Sequence, residues 1–507
     1  MEDHDRSREG SVPPHPLLLE IDTWPWLNGL ARSEGRPVLL GSVPAAVWDA
    51  VAEGGYDVVW LMGVWQRSPV GVALALGDLD LVRSFEAALP DYTDEDVVGS
   101  PYCIRDYVVD ERLGGPAGLA TARAELRARG LGLLLDFVPN HVAPDHPWVS
   151  GHPDRFVLGE PADLEQDPAT FVELGGRVFA HGRDPYFPAW PDVVQLNAFS
   201  AALRVAAAET LLDIAGQCDG VRCDMAMLMM DDVFASTWGD RVGPPSTTPY
   251  WPEVIGAVRG SHPGFLFVAE AYWDREFALQ RQGFDHCYDK RLYDRLTSSD
   301  TSGVEAHLSA DPDYQARLLR FIENHDEPRA ASVLGPEQHR AAAIATFTQC
   351  GARLVHDGQT TGRRTHLPVF LGRFPEEPDD EELNAFYHRL LDALADPTFR
   401  TGEWRWCRTL PWADDPGTSP ILSWCWTGDT RWLVAVNVSE RRCSARVAGP
   451  WPDLRGGTVR LHDPTQDVTY HRTGNDLNDG MYVELPPWGW HLFRIDDGSA
   501  AFEGEAS

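Results

Sequence analysis

The sequence predicts a parallel barrel of the (β/α)8 type, interrupted by a short irregular excursion and followed by an antiparallel β-sandwich domain. Three observations carry that expectation. Apolar strand-like runs alternate with helix-like runs from residue 17 to about residue 395. Several of those runs end in a charged residue, as strands do when a barrel gathers its site at their C-terminal ends. From about residue 400 the texture changes to short Trp- and Val-rich runs separated by turn residues, which is the texture of an antiparallel β domain. A doubly wound sheet is the competing architecture for the first part. It would favour a Gly-rich phosphate turn after an early strand, and none is found.

Residues 1–15 are polar, carry Pro13 and Pro14, and are expected to be a disordered tail. The barrel is expected over 16–400. Residues 17–21 read as its first strand, 45–52 as a helix and 56–61 (YDVVWL) as a buried strand. A helix over 117–129 closes at Gly130. The run 131–137 (LGLLLDF) is mostly apolar with an acid near its end, the pattern of a strand buried on both faces. Residues 142–200, rich in Pro, Gly, Asp and aromatics, form the excursion, and a helix over 201–215 resumes the rhythm. Residues 219–226 then read as a strand with Arg222 and Asp224 on one face and Val221 and Cys223 on the other. Further strands are read at 265–269, ending at Glu270, and at 284–288, 316–322 and 352–356. Helices are read near 252–258, 276–282, 337–349 and 381–395. The β domain spans 401–497, with strand-like runs at 421–426, 431–438, 458–461, 481–485 and 489–495. Residues 498–507 read as a second tail.

The bulk numbers bound the function. The 507 residues are 43% hydrophobic and 24% charged, an ordinary balance for a large core. With 77 acidic and 43 basic residues the formal net charge is −34. That argues against nucleic acid or an anionic membrane as partner, since both need basic surface, and suits a neutral substrate. The eight Cys form no C-x-x-C pair, so no zinc site is expected. The charged N-terminus lacks an apolar core and no run of about 20 apolar residues exists, so neither a signal peptide nor a membrane span is expected. The expectation is a cytoplasmic, mostly reduced protein, with its oligomeric state left open. The 19 Trp suit sugar-binding platforms and ordinary core equally.

The polar residues at the strand ends carry the chemistry. Asp136 closes one strand, with Asn140 and His141 beyond it; Arg222 and Asp224 close the next, Glu270 another, and His325 and Asp326 a fourth. Taken alone, Arg222 and Asp224 read most simply as a structural ion pair. Several carboxylates converging on one rim are costly without a purpose, because like charges raise one another's pKa. Glycoside hydrolysis supplies a purpose: one carboxyl stays protonated to donate to the leaving oxygen, while the other stays ionised to attack the anomeric carbon. Metal-assisted hydrolysis is the rival chemistry. The segment with Asp136, His141, Asp145 and His146 matches no recognised ligand spacing such as H-E-x-x-H.

The segments DFVPNH (136–141), GVRCDMA (220–226), VAEAYW (268–273) and ENHDEP (323–328) resemble, in order, the four signature regions of the α-amylase family, glycoside hydrolase family 13. YCIRDY (102–107) resembles a segment from the early half of that family's barrel. The resemblance covers residues from about 20 to 495. It implies that Asp224 is the nucleophile, Glu270 the general acid and base, and Asp326 the third carboxylate, which grips sugar hydroxyls. It implies further that Arg222 keeps Asp224 ionised and aimed, that His141 and His325 hydrogen-bond the sugar, and that Tyr102 stacks beneath it. Asp136 is expected to support the rim.

There are departures. Where many relatives carry a Lys-His pair after the nucleophile, this chain has Met227 and Leu228, and Thr360 stands where a Glu is usual near the last strand. Asn140 matches a calcium-linked position, and a structural hydrogen bond explains it equally well; no metal or cofactor is expected. The resulting expectation is a retaining enzyme that cleaves α-glucosidic bonds, α-1,4 bonds above all, in maltodextrin- or glycogen-like glucans. The alternatives are a transglycosylase or isomerase, including one acting on trehalose- or sucrose-type disaccharides, and a non-catalytic carbohydrate-binding barrel.

Overall fold

The computed structural model describes residues 12–407, 409–411 and 420–497. Of the expected tails, residues 1–11 and 498–507 lie outside the described residues. Within the first tail, His15 is engaged: its ring accepts from the Gly351 amide at 3.0 Å and its carbonyl accepts from Arg353.

Eight strands form the barrel: β1 (Leu17–Asp22), β2 (Val58–Met62), β3 (Gly132–Phe137), β4 (Gly220–Cys223), β5 (Leu266–Ala269), β6 (His286–Tyr288), β7 (Leu318–Arg320) and β8 (Ala352–His356). Each lies beside its neighbours in sequence, and the ring closes. Every residue of β2, β4 and β5 is buried, because the barrel interior covers one face and surrounding elements the other. That double burial is why these strands read as continuous apolar runs.

Local chemistry sets the height of β4. The preceding helix, Ala201–Ala215, starts at Ser200, whose hydroxyl accepts from the Leu203 amide at 3.3 Å. Asp219 then ties the start of β4 down. Its carboxylate accepts from the Leu133 amide at 3.0 Å and from Arg123 Nη2 at 2.7 Å. Gly220 permits close contact with β5, since a Cβ there would stand 2.6 Å from Leu266 Cβ and 2.7 Å from its carbonyl oxygen. In register, Arg222 faces Asp136 on β3 and Val268 on β5. The ladder continues past the strands: the Asp224 amide donates to Phe137 O at 2.9 Å and the Glu270 amide to Cys223 O at 3.1 Å. Asp224 and Glu270 therefore leave adjacent strands in step.

The stretch expected to be irregular contains a small antiparallel sheet. Its strands are His141–Val142, Leu158–Gly159, Phe171–Leu174, Arg177–Gly182 and Trp190–Gln195. Strands of two to six residues are too short to show alternation in a sequence.

By contact the chain divides into two compact units. One holds Leu18–Tyr288 and Thr365–Glu376; the other holds Pro13–Leu17, Asp289–Arg364 and the chain from Glu377 onward. The first has a continuous core that includes Trp48, Leu135, Val221, Cys223 and Met227. In the second, a six-stranded sheet and a three-stranded sheet, both antiparallel, share a core. Leu433 and Ala435 come from one sheet, and Ala445, Val447, Val483 and Leu485 from the other; their spacing of two is the strand period. Six Trp, at 48, 60, 65, 251, 424 and 426, are fully buried. The indoles of Trp424 and Trp426 both donate to the Thr348 carbonyl, at 3.0 and 2.8 Å. Those six are core, not sugar platforms. All eight cysteines are buried thiols outside any disulfide. Among the described residues no helix is long and apolar enough to cross a membrane.

Candidate active site

The site in the first unit is built on Arg222, which is fully buried. Its Nη1 meets Asp224 Oδ1 at 2.7 Å and its Nη2 meets Glu270 Oε2 at 2.8 Å. One guanidinium thus holds two carboxylates from adjacent strand ends, which suits its flat, forked donor set. Aromatic rings enclose it. Tyr102, Trp60 and Tyr288 lie 5.1, 5.4 and 5.7 Å from its central carbon, and Nε donates to the Tyr288 hydroxyl at 3.4 Å. Burial alone would lower the Arg222 pKa; Glu270, Tyr102, Tyr288 and Asp224 outweigh it and hold the group well above its ordinary value. The charge is permanent. Beside it, Asp136 has a supporting role: its carboxylate accepts from the Gly63 amide at 2.7 Å and from the Trp60 indole at 3.2 Å.

The backbone bends sharply after each carboxylate. Met225, next to Asp224, has φ 42°, and Trp273 and Asp274, just beyond Glu270, have φ 58° and 62°. Left-handed conformations are uncommon for residues other than glycine and cluster at functional sites. The first bend turns the Met225 amide onto Glu270 Oε2 at 2.6 Å. The second accompanies a hydrogen bond of 2.8 Å from the Tyr272 hydroxyl to Glu270 Oε1.

Tyr102 sits in a turn and is half-buried, with its ring against the Arg222 guanidinium. His141 is buried and opens the excursion's sheet opposite Gln195. Burial lowers its pKa to about 4, against the opposing pull of Asp192 and the Tyr102 carbonyl, so the imidazole is neutral at neutral pH. Asn140 faces inward onto Gln195. Its amide oxygen accepts from Gln195 Nε2 at 2.8 Å and its amide nitrogen donates to Gln195 Oε1 at 3.3 Å. Both ends of the Asn140 side chain thus hydrogen-bond within the protein. Nearby in sequence, Tyr186 and Phe187 are strongly exposed, and the Tyr186 ring meets that of Trp273 edge-on at 4.8 Å.

The second unit carries the remaining expected residues on the loop after β7. Asn324 shapes that loop, with its side-chain oxygen accepting from the Asp326 and Glu327 amides at 2.9 Å each. His325 is buried and its Nε2 lies 2.9 Å from Asp326 Oδ2; the Asp326 side chain is 37% exposed. Glu323, fully buried, pairs with Arg329 Nη1 at 2.8 Å and accepts from the Ala330 amide at 2.7 Å.

The structure therefore brings Tyr102, Arg222, Asp224 and Glu270 into one cluster, with His141 beside Tyr102, and sets His325 and Asp326 together at another strand end. Sequence reasoning paired Arg222 with Asp224 only. It missed the ion pair to Glu270 and gave no part to Tyr272 and Tyr288. The one available signal was the Tyr two residues after Glu270 in VAEAYW. Met227, Leu228 and Met229 are at most 2% exposed and lie in the core on a short helical turn, Ala226–Met229. Trp251 donates to the Ala226 carbonyl at 2.8 Å and closes that turn.

A closed eight-stranded barrel thus presents Arg222, Asp224 and Glu270 together at the ends of β4 and β5. No protein-family model matches the chain. Its sequence is 27% identical over 289 residues to α-amylase MalA of Haloarcula japonica, covering 53% of this chain and 36% of that protein. It is 26% identical over 310 residues to the α-1,4-glucan:maltose-1-phosphate maltosyltransferase of Bifidobacterium longum, covering 55% and 35%. The match thus spans only about a third of those relatives' length. Among solved structures, a noncanonic maltogenic α-amylase, AmyB, from Thermotoga neapolitana superposes with a TM-score of 0.66 at 18% identity, covering 95% of this chain and 98% of that one. An α-amylase from Lactobacillus plantarum gives 0.64 at 17%, covering 95% and 99%. These superpositions bear out the barrel and the antiparallel C-terminal region as a fold. Over about half of its length the sequence is similar to an α-amylase and to maltosyltransferases.

Proposed function

We propose that the chain is an enzyme that opens α-glucosidic bonds, α-1,4 bonds above all, of maltodextrin- or glycogen-like glucans through a covalent glycosyl-enzyme. The observation that carries this reading is the sharing of one buried guanidinium by Asp224 and Glu270. Two carboxylates clamped to one fork favour the close spacing of a retaining pair, about 5–5.5 Å, over the wider gap of an inverting pair.

In this reading Asp224, kept ionised by Arg222, attacks the anomeric carbon. Glu270 gives its proton to the departing oxygen and later takes one from the incoming hydroxyl. Asp326 and His325 hold sugar hydroxyls, His141 does so as a neutral imidazole, and Tyr102 lies beneath the ring. The eight buried cysteines, none in a disulfide, support a reducing, cytoplasmic setting.

Transfer is the second reading. Several matched relatives are named maltosyltransferases, and the Lys-His pair common on the leaving-group side is replaced by buried Met227 and Leu228. A sugar hydroxyl or a sugar phosphate would then replace water as acceptor.

The test is product analysis over maltooligosaccharides, glycogen, trehalose and sucrose, with and without maltose 1-phosphate, read by NMR of the first-formed anomer. Cleavage with an α-configured first product is expected, and the acceptor decides between hydrolysis and transfer. A β-configured first product, or no turnover of any substrate, contradicts the proposal.

A further inference from the structure

Resting on the reading of Glu270 as proton donor, we infer that Tyr272 is a positioning residue that fixes which oxygen of Glu270 carries the proton and how readily it does so. The two oxygens of Glu270 are held unequally. Oε2 forms an ion pair with Arg222 Nη2 at 2.8 Å and accepts from the Met225 amide at 2.6 Å. Both partners are pure donors, so a proton on Oε2 would face two others. Oε1 faces the Tyr272 hydroxyl at 2.8 Å. A hydroxyl donates to a carboxylate and, turned about its C–O bond, accepts from a carboxyl. The proton is therefore given and taken at Oε1, with the Tyr272 hydroxyl reorienting to follow it.

The fold supports this contact. Tyr272 lies two residues beyond Glu270, and the chain reverses through the consecutive left-handed residues Trp273 and Asp274. The Arg275 amide closes the turn onto the Tyr272 carbonyl at 3.2 Å, and the Trp273 ring packs on Tyr186. Two adjacent non-glycine residues in that region persist only where their surroundings hold them there.

Replacing Tyr272 by Phe keeps the ring and the turn and removes one oxygen. The carboxylate form of Glu270 then loses a donor, so Glu270 keeps its proton to higher pH. The experiment measures kcat/KM against pH for the wild type and Tyr272→Phe on two substrates. Maltotetraose needs protonation of its leaving oxygen; α-maltosyl fluoride does not. On maltotetraose the alkaline limb of the variant is expected to move up by about one pH unit. Its rate at neutral pH should fall about tenfold, because Oε1 is no longer aimed. On the fluoride the rate should change less than about twofold, with no shift of the limb. Superimposable profiles on maltotetraose, or equal losses on both substrates at an unshifted limb, overturn the inference alone. A wild type inert toward both substrates overturns the glycosidic reading and this inference with it.

Discussion

Two of the buried arginines hold the carboxylates that matter most here. Arg222 holds Asp224 and Glu270 in the first unit, and Arg329 holds Glu323 in the second. The second pairing makes a measurable statement about pH. Burial pushes the Glu323 pKa up; Arg329 and His356 outweigh burial and bring it from the ordinary 4.5 down to about 2. A carboxyl depressed in the folded state contributes stability above its unfolded pKa and loses it as pH falls through the folded one. Glu323→Gln should therefore cost about 3 kcal/mol near pH 7, and the gap from wild type should close between about pH 4.5 and 2. Urea unfolding over that range measures it, and a gap independent of pH contradicts the assignment. At this scale the site was partly legible. Asp224, Glu270 and Asp326 stand in recognisable motifs at strand ends. The left-handed backbone at Met225 left no mark, because it depends on a turn no residue type announces; the Tyr272 contact left only the Tyr two residues after Glu270. The Arg222–Glu270 pair was hidden because its partners are far apart in the chain and meet only through the register of β4 and β5.

Among the elements, the turn Ala226–Met229 separates this chain from many of its relatives. Met227 and Leu228 are core residues in contact with the rest of the first unit's interior. Restoring the polar pair with Met227→Lys and Leu228→His would bury a charge with no partner. It should cost about 3–5 kcal/mol and lower the melting temperature, with no gain in activity. A melting scan beside an activity assay checks it; a double variant as stable as wild type and more active would show that the turn tolerates the polar pair. The barrel strands were legible element by element because double burial writes a continuous apolar run. The helix Ala201–Ala215 was read to the residue, since its cap and its alanine-rich body agree. Helices Thr23–Glu34, Pro69–Gly77 and Leu79–Ala88 went unread. The first contains Pro25 and Gly29, which argue against a helix locally, and tertiary packing overrides that preference. The strands Cys443–Val447 and Val468–Thr473 were missed for the opposite reason: polar and charged residues dilute their alternation.

For the whole molecule, architecture and chemistry were legible to different depths. Four motifs in order, spread over about 190 residues, pointed to the barrel that the structure shows. Sequence patterns are weakest in the excursion and the loops, where the exposed Tyr186 and Phe187 stand. The net charge of −34 fits an uncharged glucan better than a polyanion. The central claim is that Asp224 forms a covalent bond to sugar, and trapping tests it most directly. The enzyme would be incubated with a 5-fluoro-α-glucosyl fluoride, digested with pepsin and mapped by mass spectrometry. The account predicts one glucosyl adduct on the peptide that contains Asp224, absent from Asp224→Asn. An adduct on a different residue, or steady turnover of α-glucans with none that can be trapped, would contradict it.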